Sequence, residues 1–266
     1  MTRAALLLAG GAGTRLRPLS TEERPKQFLR IFDGQSLIRR TFERVRDLEV
    51  FVSTIERYRE ITLEEIPEIE SDRVIAEPLR RNTAPAIALS CFEIASRLGE
   101  ETTIACLPAD HYIADEPEFR RVLDHAFDYA ESHDALVTIG IQPDEPHTGY
   151  GYLELGDEVA PSVIRVNRFV EKPSRERAQE FLRAGNYAWN GGIFVWRTSI
   201  FRSELERHAP EVARVTRGNY DEVPSISIDY ALMEKTSNVV TLRGDFGWSD
   251  VGSWDALRRI VPSLSS

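Results

Sequence analysis

The sequence predicts an α/β protein. The expected arrangement is a Rossmann-like three-layer α/β/α fold with a mostly parallel central sheet and a small mixed or antiparallel insertion. Three observations carry this. Apolar runs of strand length alternate with segments of helical periodicity from residue 4 to residue 140. The first run, Ala-Ala-Leu-Leu-Leu-Ala at 4–9, shows no alternation of polar and apolar residues, as expected for a strand covered on both faces. After Pro143 the rhythm changes to strands with fewer helices between them.

Taken in order, the strand at 4–9 breaks at Gly10-Gly11-Ala12-Gly13 and leads into a long polar loop ending in Pro25-Lys26. Ser36 then caps a helix over 36–45. A strand over 49–53, a helix over 56–66 and a strand over 73–77 follow. Asn82 or Thr83 caps a helix over 84–98, with Pro85 in its first turn. A fourth strand covers 102–107. The segment 117–132 is an amphipathic helix with Phe119, Val122, Leu123, Ala126, Phe127 and Ala130 on one face. A strand at 135–140 closes this alternating part, which has the order of a parallel sheet flanked by helices. Beyond it, strands are expected at 151–155, 163–170, 192–196 and 239–243, and helices at 175–184, 198–207, 226–234 and from about Ser253. The chain thus divides into an alternating part at 1–142, an insertion at 143–197 and a closing segment at 198–266. All are expected to belong to a single domain, since no linker is rich enough in Pro, Gly or Ser to mark separate ones.

Composition narrows the function. At 266 residues and 30.2 kDa the chain can bury a sizeable core, and 42% hydrophobic with 29% charged residues is ordinary for a folded protein. A formal net charge of −10 argues against nucleic acid as a partner. No apolar stretch reaches membrane-spanning length, and the first residues form a strand, not a signal peptide. Cys91 and Cys106 sit in apolar contexts and read as buried reduced thiols. A cytoplasmic protein is expected.

The glycine turn is where chemistry first enters. Its glycines let backbone approach a ligand closely, and successive N–H groups form a concavity suited to phosphate. Thr14, Arg15 and Lys26 add a hydroxyl and two cations, Arg15 as a fork and Lys26 as a mobile point charge. Two known phosphate motifs are excluded. No Lys follows Gly13 until Lys26, so this is no Walker A loop, and Leu16 stands where a dinucleotide fingerprint needs its third glycine. Ligands of open α/β sheets sit beyond the carboxyl ends of strands, which singles out Asp110 after the fourth strand and Asp245 or Asp250 after the last. Carboxylates there suit magnesium, which takes a few hard oxygens plus substrate phosphates.

G-G-x-G-T-R-L-x-P-L-S at 10–20 followed by P-K-Q-F-L at 25–29 resembles the signature of the sugar-1-phosphate nucleotidylyltransferases. The Gln27-Phe28-Leu29 continuation is most similar to the guanylyl-transferring branch. Arg17 departs from that branch, which usually has Trp there. The resemblance runs from Ala4 to Trp254 and implies the rest of the site. Leu8, Ala9, Gly10, Gly11, Gly13 and Thr14 would bind nucleotide. Residues 77–85 would contact the base, with Glu77 or backbone carbonyls reading the donor edge of guanine beside Asn82 and Thr83. Gly149-Tyr150-Gly151, Glu171 and Asn190 would bind sugar. Arg15, Lys26 and Lys172 would be catalytic, with Lys172 on the sugar phosphate. Asp110 and Asp250 would hold Mg²⁺, Asp245 and Asp229 being structural and His111 a loop hydrogen-bonder. The implied substrates are GTP and mannose 1-phosphate and the implied product GDP-mannose. A thymidylyl- or uridylyltransferase acting on glucose 1-phosphate and a non-catalytic sugar-nucleotide sensor are the alternatives. No oligomeric state follows.

Overall fold

β1 (Arg3–Leu8) lies between two parallel neighbours, and its alternate residues feed two different cores. The computed structural model describes residues 1–11 and 13–261. Ala12, inside the expected glycine turn, and residues 262–266, at the end of the closing segment, lie outside the described residues. Ala5 and Leu7 pack into a core with Ile38, Phe42, Phe119 and Leu123. Ala4 and Leu6 pack into another with Ile87, Ile94, Phe201 and Leu205. A strand buried on both faces accounts for the unbroken apolar run.

Local chemistry sets most element ends. α1 (Leu37–Val45) starts at Ser36, whose hydroxyl accepts from the Arg39 N–H. β2 (Glu49–Ile55), α2 (Arg59–Glu65) and β3 (Val74–Glu77) follow, with a short 3₁₀ turn at Glu56–Tyr58 taking the start of the expected second helix. α3 (Thr83–Leu98) is capped by the Asn82 side chain, and β4 (Thr103–Pro108) runs back beside β1. β5 (Tyr112–Ile113) precedes α4 (Glu116–Ser132), which Asp115 caps through the Glu118 N–H. β6 (Leu136–Ile141), β7 (Tyr152–Ala160), β8 (Val163–Val170) and α5 (Arg175–Ala184) come next. β9 (Tyr187–Arg197), α6 (Thr198–His208), α7 (Pro210–Ala213), β10 (Val239–Gly244), β11 (Trp248–Ser249) and α8 (Trp254–Ile260) complete the order.

Nine strands form one mixed sheet in the order β3-β2-β1-β4-β9-β6-β10-β8-β7. This corrects two expectations. The strand expected at 192–196, within the small mixed or antiparallel insertion, runs into the main sheet: β9 inserts between β4 and β6, antiparallel to both. Its insertion interrupts the parallel order, so the sheet is mixed where a mostly parallel one was expected. The helix expected over 226–234 is instead a single π turn at Asp229–Met233. The Thr83 hydroxyl accepts from the Ile228 N–H just before it, tying the turn to the start of α3.

Two pairs of residues form a second, two-stranded sheet. β11 pairs antiparallel with β5, setting Trp248 opposite Ile113 and Ser249 opposite Tyr112. This small ribbon brings the segment after β4 against the segment after β10. Among the described residues no helix is long and apolar enough to cross a membrane.

Candidate functional site

The ribbon places Asp110, two residues before β5, and Asp250, just after β11, on one cavity of about 510 Å³. Leu8, Gly10 and Gly11 line it from the end of β1, and Glu77, Asn82 and Thr83 from the end of β3 and the start of α3. Gly149, Tyr150 and Gly151 line it from just before β7, Glu171 and Lys172 from just after β8, and Asn190 from β9. Segments far apart in the chain therefore meet where the strands end.

Lys26 joins the parts. Its ammonium lies 2.7 Å from Asp110 Oδ2 and also donates to the Asp250 carbonyl. At 4% exposure it is buried, which corrects the expectation of a mobile charge. The loop doubles back so that Gly13 stacks on it. Gly13 has φ +59°, and a Cβ there would lie 2.6 Å from the Lys26 backbone nitrogen, so only glycine fits. Burial pushes the Asp110 carboxyl up, but the Lys26 charge and further contacts outweigh it and hold it below the usual range. Asp250 accepts from the Tyr150 hydroxyl at 2.7 Å and from the Gly252 N–H at 2.9 Å, both at Oδ1. Burial, then the neighbouring Asp250, pushes the Tyr150 phenol up, so the phenol keeps the proton it donates. The ring stacks on His147 with centroids 3.8 Å apart and meets Trp189 and Trp248 edge-on.

His111 behaves as a loop hydrogen-bonder. The Trp248 indole N–H donates to its Nδ1 at 3.1 Å, and burial lowers its pKa to about 4, so the ring is neutral. At the far end, the Lys172 ammonium pairs with Glu171 Oε1 at 2.7 Å, and Lys172 itself takes φ +44° directly after β8. Asn190 accepts from the Thr138 hydroxyl and the Gly192 N–H, and its amide donates to Asp229 Oδ1 at 3.3 Å. Burial, reinforced by the Glu171 charge, pushes the Asp229 carboxyl up to about 7.

Five expected site residues do not line this cavity: the buried Lys26, and Ala9, Gly13, Thr14 and Arg15. Ala9 is buried, and its carbonyl accepts from the Gln27 amide at 2.7 Å and from the Thr54 hydroxyl, so it shapes the loop from behind. Thr14 opens a short 3₁₀ turn and, like Gly13, does not line the cavity. Arg15 is 66% exposed and lies 3.8 Å from Asp250. It lines a neighbouring cavity of about 520 Å³ that shares Tyr150, Trp248 and Asp250 with the first. The exposed Asp245 lines neither cavity.

Gln27, Arg80 and Trp248 line the main cavity without having been singled out. Gln27 holds the carbonyls of Ala9 and Gly11, the latter at 3.0 Å, from a buried position. Its place in the Pro-Lys-Gln run was the available signal.

Among the described residues no three His, Cys, Asp or Glu side chains gather as a metal cage. The two aspartates nevertheless suit a hard cation. Oδ1 of Asp110 lies 3.9 Å from His111, and Oδ2 of Asp250 lies 3.8 Å from Arg15. Two such carboxylate oxygens on one cavity match the small protein share that a magnesium ion takes when phosphates and water supply the rest.

The family model described as Nucleotidyl transferase matches residues 4–266. Mannose-1-phosphate guanylyltransferase of Sinorhizobium fredii is 40% identical over 94% of this chain and 53% of its own length. That of Escherichia coli is 40% identical over 97% of this chain and 59% of its own. The chain thus spans a little over half the length of these curated relatives. A crystal structure named as mannose-1-phosphate geranyltransferase, from Thermus thermophilus, superposes with a TM-score of 0.88. It is 38% identical, over 98% of this chain and 79% of that one.

Proposed function

The chain belongs to the nucleotidyl transferase family, and we propose that it makes GDP-mannose and pyrophosphate from GTP and mannose 1-phosphate. The relatives named above are guanylyltransferases, which supports the choice of substrates. The observation that carries the reading is the Lys26 bridge, which puts a buried cation between the two aspartates on the main cavity.

In the proposed reaction a phosphate oxygen of mannose 1-phosphate attacks the α-phosphorus of GTP. The bond from that phosphorus to the bridging oxygen breaks, and pyrophosphate leaves with the electron pair. The nucleophile is already an anion, so no general base is required. The task is to bring two polyanions together and stabilise charge in an in-line transition state, which positioning and electrostatics perform. Lys26 meets the α-phosphate. Arg15 meets the leaving β- and γ-phosphates, across Asp250 from the main cavity. Lys172 holds the sugar phosphate, and Glu171 and Asn190 accept from and donate to the sugar hydroxyls. The glycine-turn backbone at Gly10 and Gly11 lies along the nucleotide, and Glu77, Asn82 and Thr83 surround the base. Asp110 and Asp250 would hold Mg²⁺, which when bound offsets the charge of the approaching phosphates. Residues 1–142 would thus serve the nucleotide, 143–197 the sugar, and 198–266 would close the site within a single domain.

Pyrophosphate release measured with each of the four common nucleoside triphosphates, against mannose 1-phosphate and glucose 1-phosphate, tests this. GTP with mannose 1-phosphate should turn over fastest and only with a divalent cation. Faster turnover with UTP or dTTP and glucose 1-phosphate would reject the substrates. Binding of GDP-mannose without turnover would reject the enzyme in favour of a sensor.

A further inference from the structure

Glu77 is a carboxylate at the base end of the cavity as drawn above, and its setting is built from a distant loop. The side chain is 8% exposed. Its Oε1 lies against the glycine turn: a Cβ on Gly10 would sit 3.1 Å from it. Its Oε2 accepts a 2.7 Å hydrogen bond from the hydroxyl of Tyr220, a residue 143 positions later and 1% exposed. Burial pushes the carboxyl up, and the Tyr220 hydrogen bond and the Arg81 backbone N–H pull it back toward ionisation. The phenol itself is pushed up by burial, then by Glu77, so it remains a proton donor.

The loop holding Tyr220 is anchored on both sides. A reciprocal cap between Thr216 and Asn219 shapes the turn before it. Arg217 donates to the Ala76 carbonyl at 2.8 Å, one residue before Glu77, and pairs with Glu93 of α3 at 2.6 Å. The Arg81 guanidinium donates to the Asp221 carbonyl on the other side. Ties to β3, α3 and the loop after β3 all converge around one phenol, and among the described residues that phenol's hydroxyl bonds to the Glu77 carboxylate.

We infer that Tyr220 is a positioning residue for base selection, holding the Glu77 carboxylate so that it accepts from a purine with a donor edge, N1–H and N2–H₂. The inference deepens the proposed guanine nucleotide reading and rests on it. A carboxylate accepts only, so it matches guanine and leaves adenine, whose N1 is also an acceptor, unpaired. Releasing the carboxylate would let it turn away or take up a proton, and either loses that match.

The test compares the full chain with Tyr220→Phe, Glu77→Gln and the double variant, using GTP, ITP (which lacks the 2-amino group) and ATP with mannose 1-phosphate. Phenylalanine keeps the buried ring and removes only the hydroxyl. Losing one hydrogen bond to a charged group should raise the KM for GTP about tenfold. The expected pattern is little change in kcat, a smaller preference of GTP over ITP, and a double variant no worse than Glu77→Gln alone. Equal losses with all three nucleotides, or additive losses in the double variant, would mean that Tyr220 only supports the fold. If the unaltered chain prefers guanine but Tyr220→Phe keeps the same GTP-to-ITP ratio, the role of Tyr220 fails and the guanine reading stands. If the unaltered chain shows no preference for guanine, both fail.

Discussion

Lys26 concentrates the cost and the purpose of the site in one side chain. A buried ammonium is tolerable only when paired, and Asp110 at 2.7 Å supplies the pair. Among the described residues Lys26 lines neither cavity, but it is already held in place, so in the proposed reaction the α-phosphate would meet a cation that needs no ordering first. Lys26→Ala should therefore lower kcat by roughly 10²–10³-fold, the scale of losing one preorganised donor at a developing charge. KM should change less. Steady-state kinetics showing only a rise in KM would assign Lys26 to ground-state binding. Under the proposed reading Tyr150 would act one step further back, through its hydrogen bond to Asp250. Tyr150→Phe should raise the Mg²⁺ concentration for half-maximal activity about tenfold, as losing an outer-shell partner does. An unchanged magnesium titration would mean that Asp250 needs no such support or binds no cation. Asp110 shows in the sequence because it follows an apolar strand, and Asp250 is chosen over Asp245 by the resemblance, but the Lys26 pairing does not show. Lysines are usually solvated, and nothing local to Pro-Lys-Gln says that this one is enclosed.

At the scale of elements, the turn after β1 and the π turn at Asp229–Met233 each hold something costly. The left-handed Gly13 lets the loop fold onto Lys26. Gly13→Ala combines a strained φ with a contact of 2.6 Å to backbone, so it should cost about 2 kcal/mol or more, read as a lowered urea midpoint. An unchanged midpoint would show that the loop does not need this conformation. The π turn sets Asp229 beside Glu171, with its carboxyl raised from the ordinary 3.8 to about 7 by burial and by that charge. The folded chain thus keeps a proton that the unfolded chain releases. The contribution of this group is full at low pH and declines as pH rises from about 4 to about 7. Asp229→Asn removes the decline, so the variant should gain stability relative to the unaltered chain on going from about pH 5 to about pH 8. Parallel urea curves at both values would contradict this. Helix ends were legible because Ser36, Asn82 and Ser253 announce them chemically. The π turn was not, because the apolar spacing of 226–234 fits an α-helix equally well.

Over the whole molecule, what could be read and what could not divides by range. Strands whose neighbours follow them closely in the chain, such as β1 to β3, showed themselves as apolar runs with helices between. β9 did not reveal its place, because an antiparallel strand arriving late between β4 and β6 is specified by contacts across the sheet, not by its own pattern. The ribbon of β5 and β11 is two residues long on each side, too short for any periodicity, yet it brings Asp110 and Asp250 to one cavity. The polar stations after each strand could thus be named from sequence, whereas the cross-links among them, Lys26 to Asp110, Tyr150 to Asp250 and Tyr220 to Glu77, required coordinates.

A crystal structure with Mg²⁺ and GDP-mannose tests the central claim most directly. The account predicts the base beside Glu77 and Asn82, the mannose beside Glu171 and Asn190, and the diphosphate between them, facing Lys26 and a cation on Asp110 and Asp250. Density for the nucleotide sugar anywhere else on the chain, or for the diphosphate away from Lys26, would contradict it.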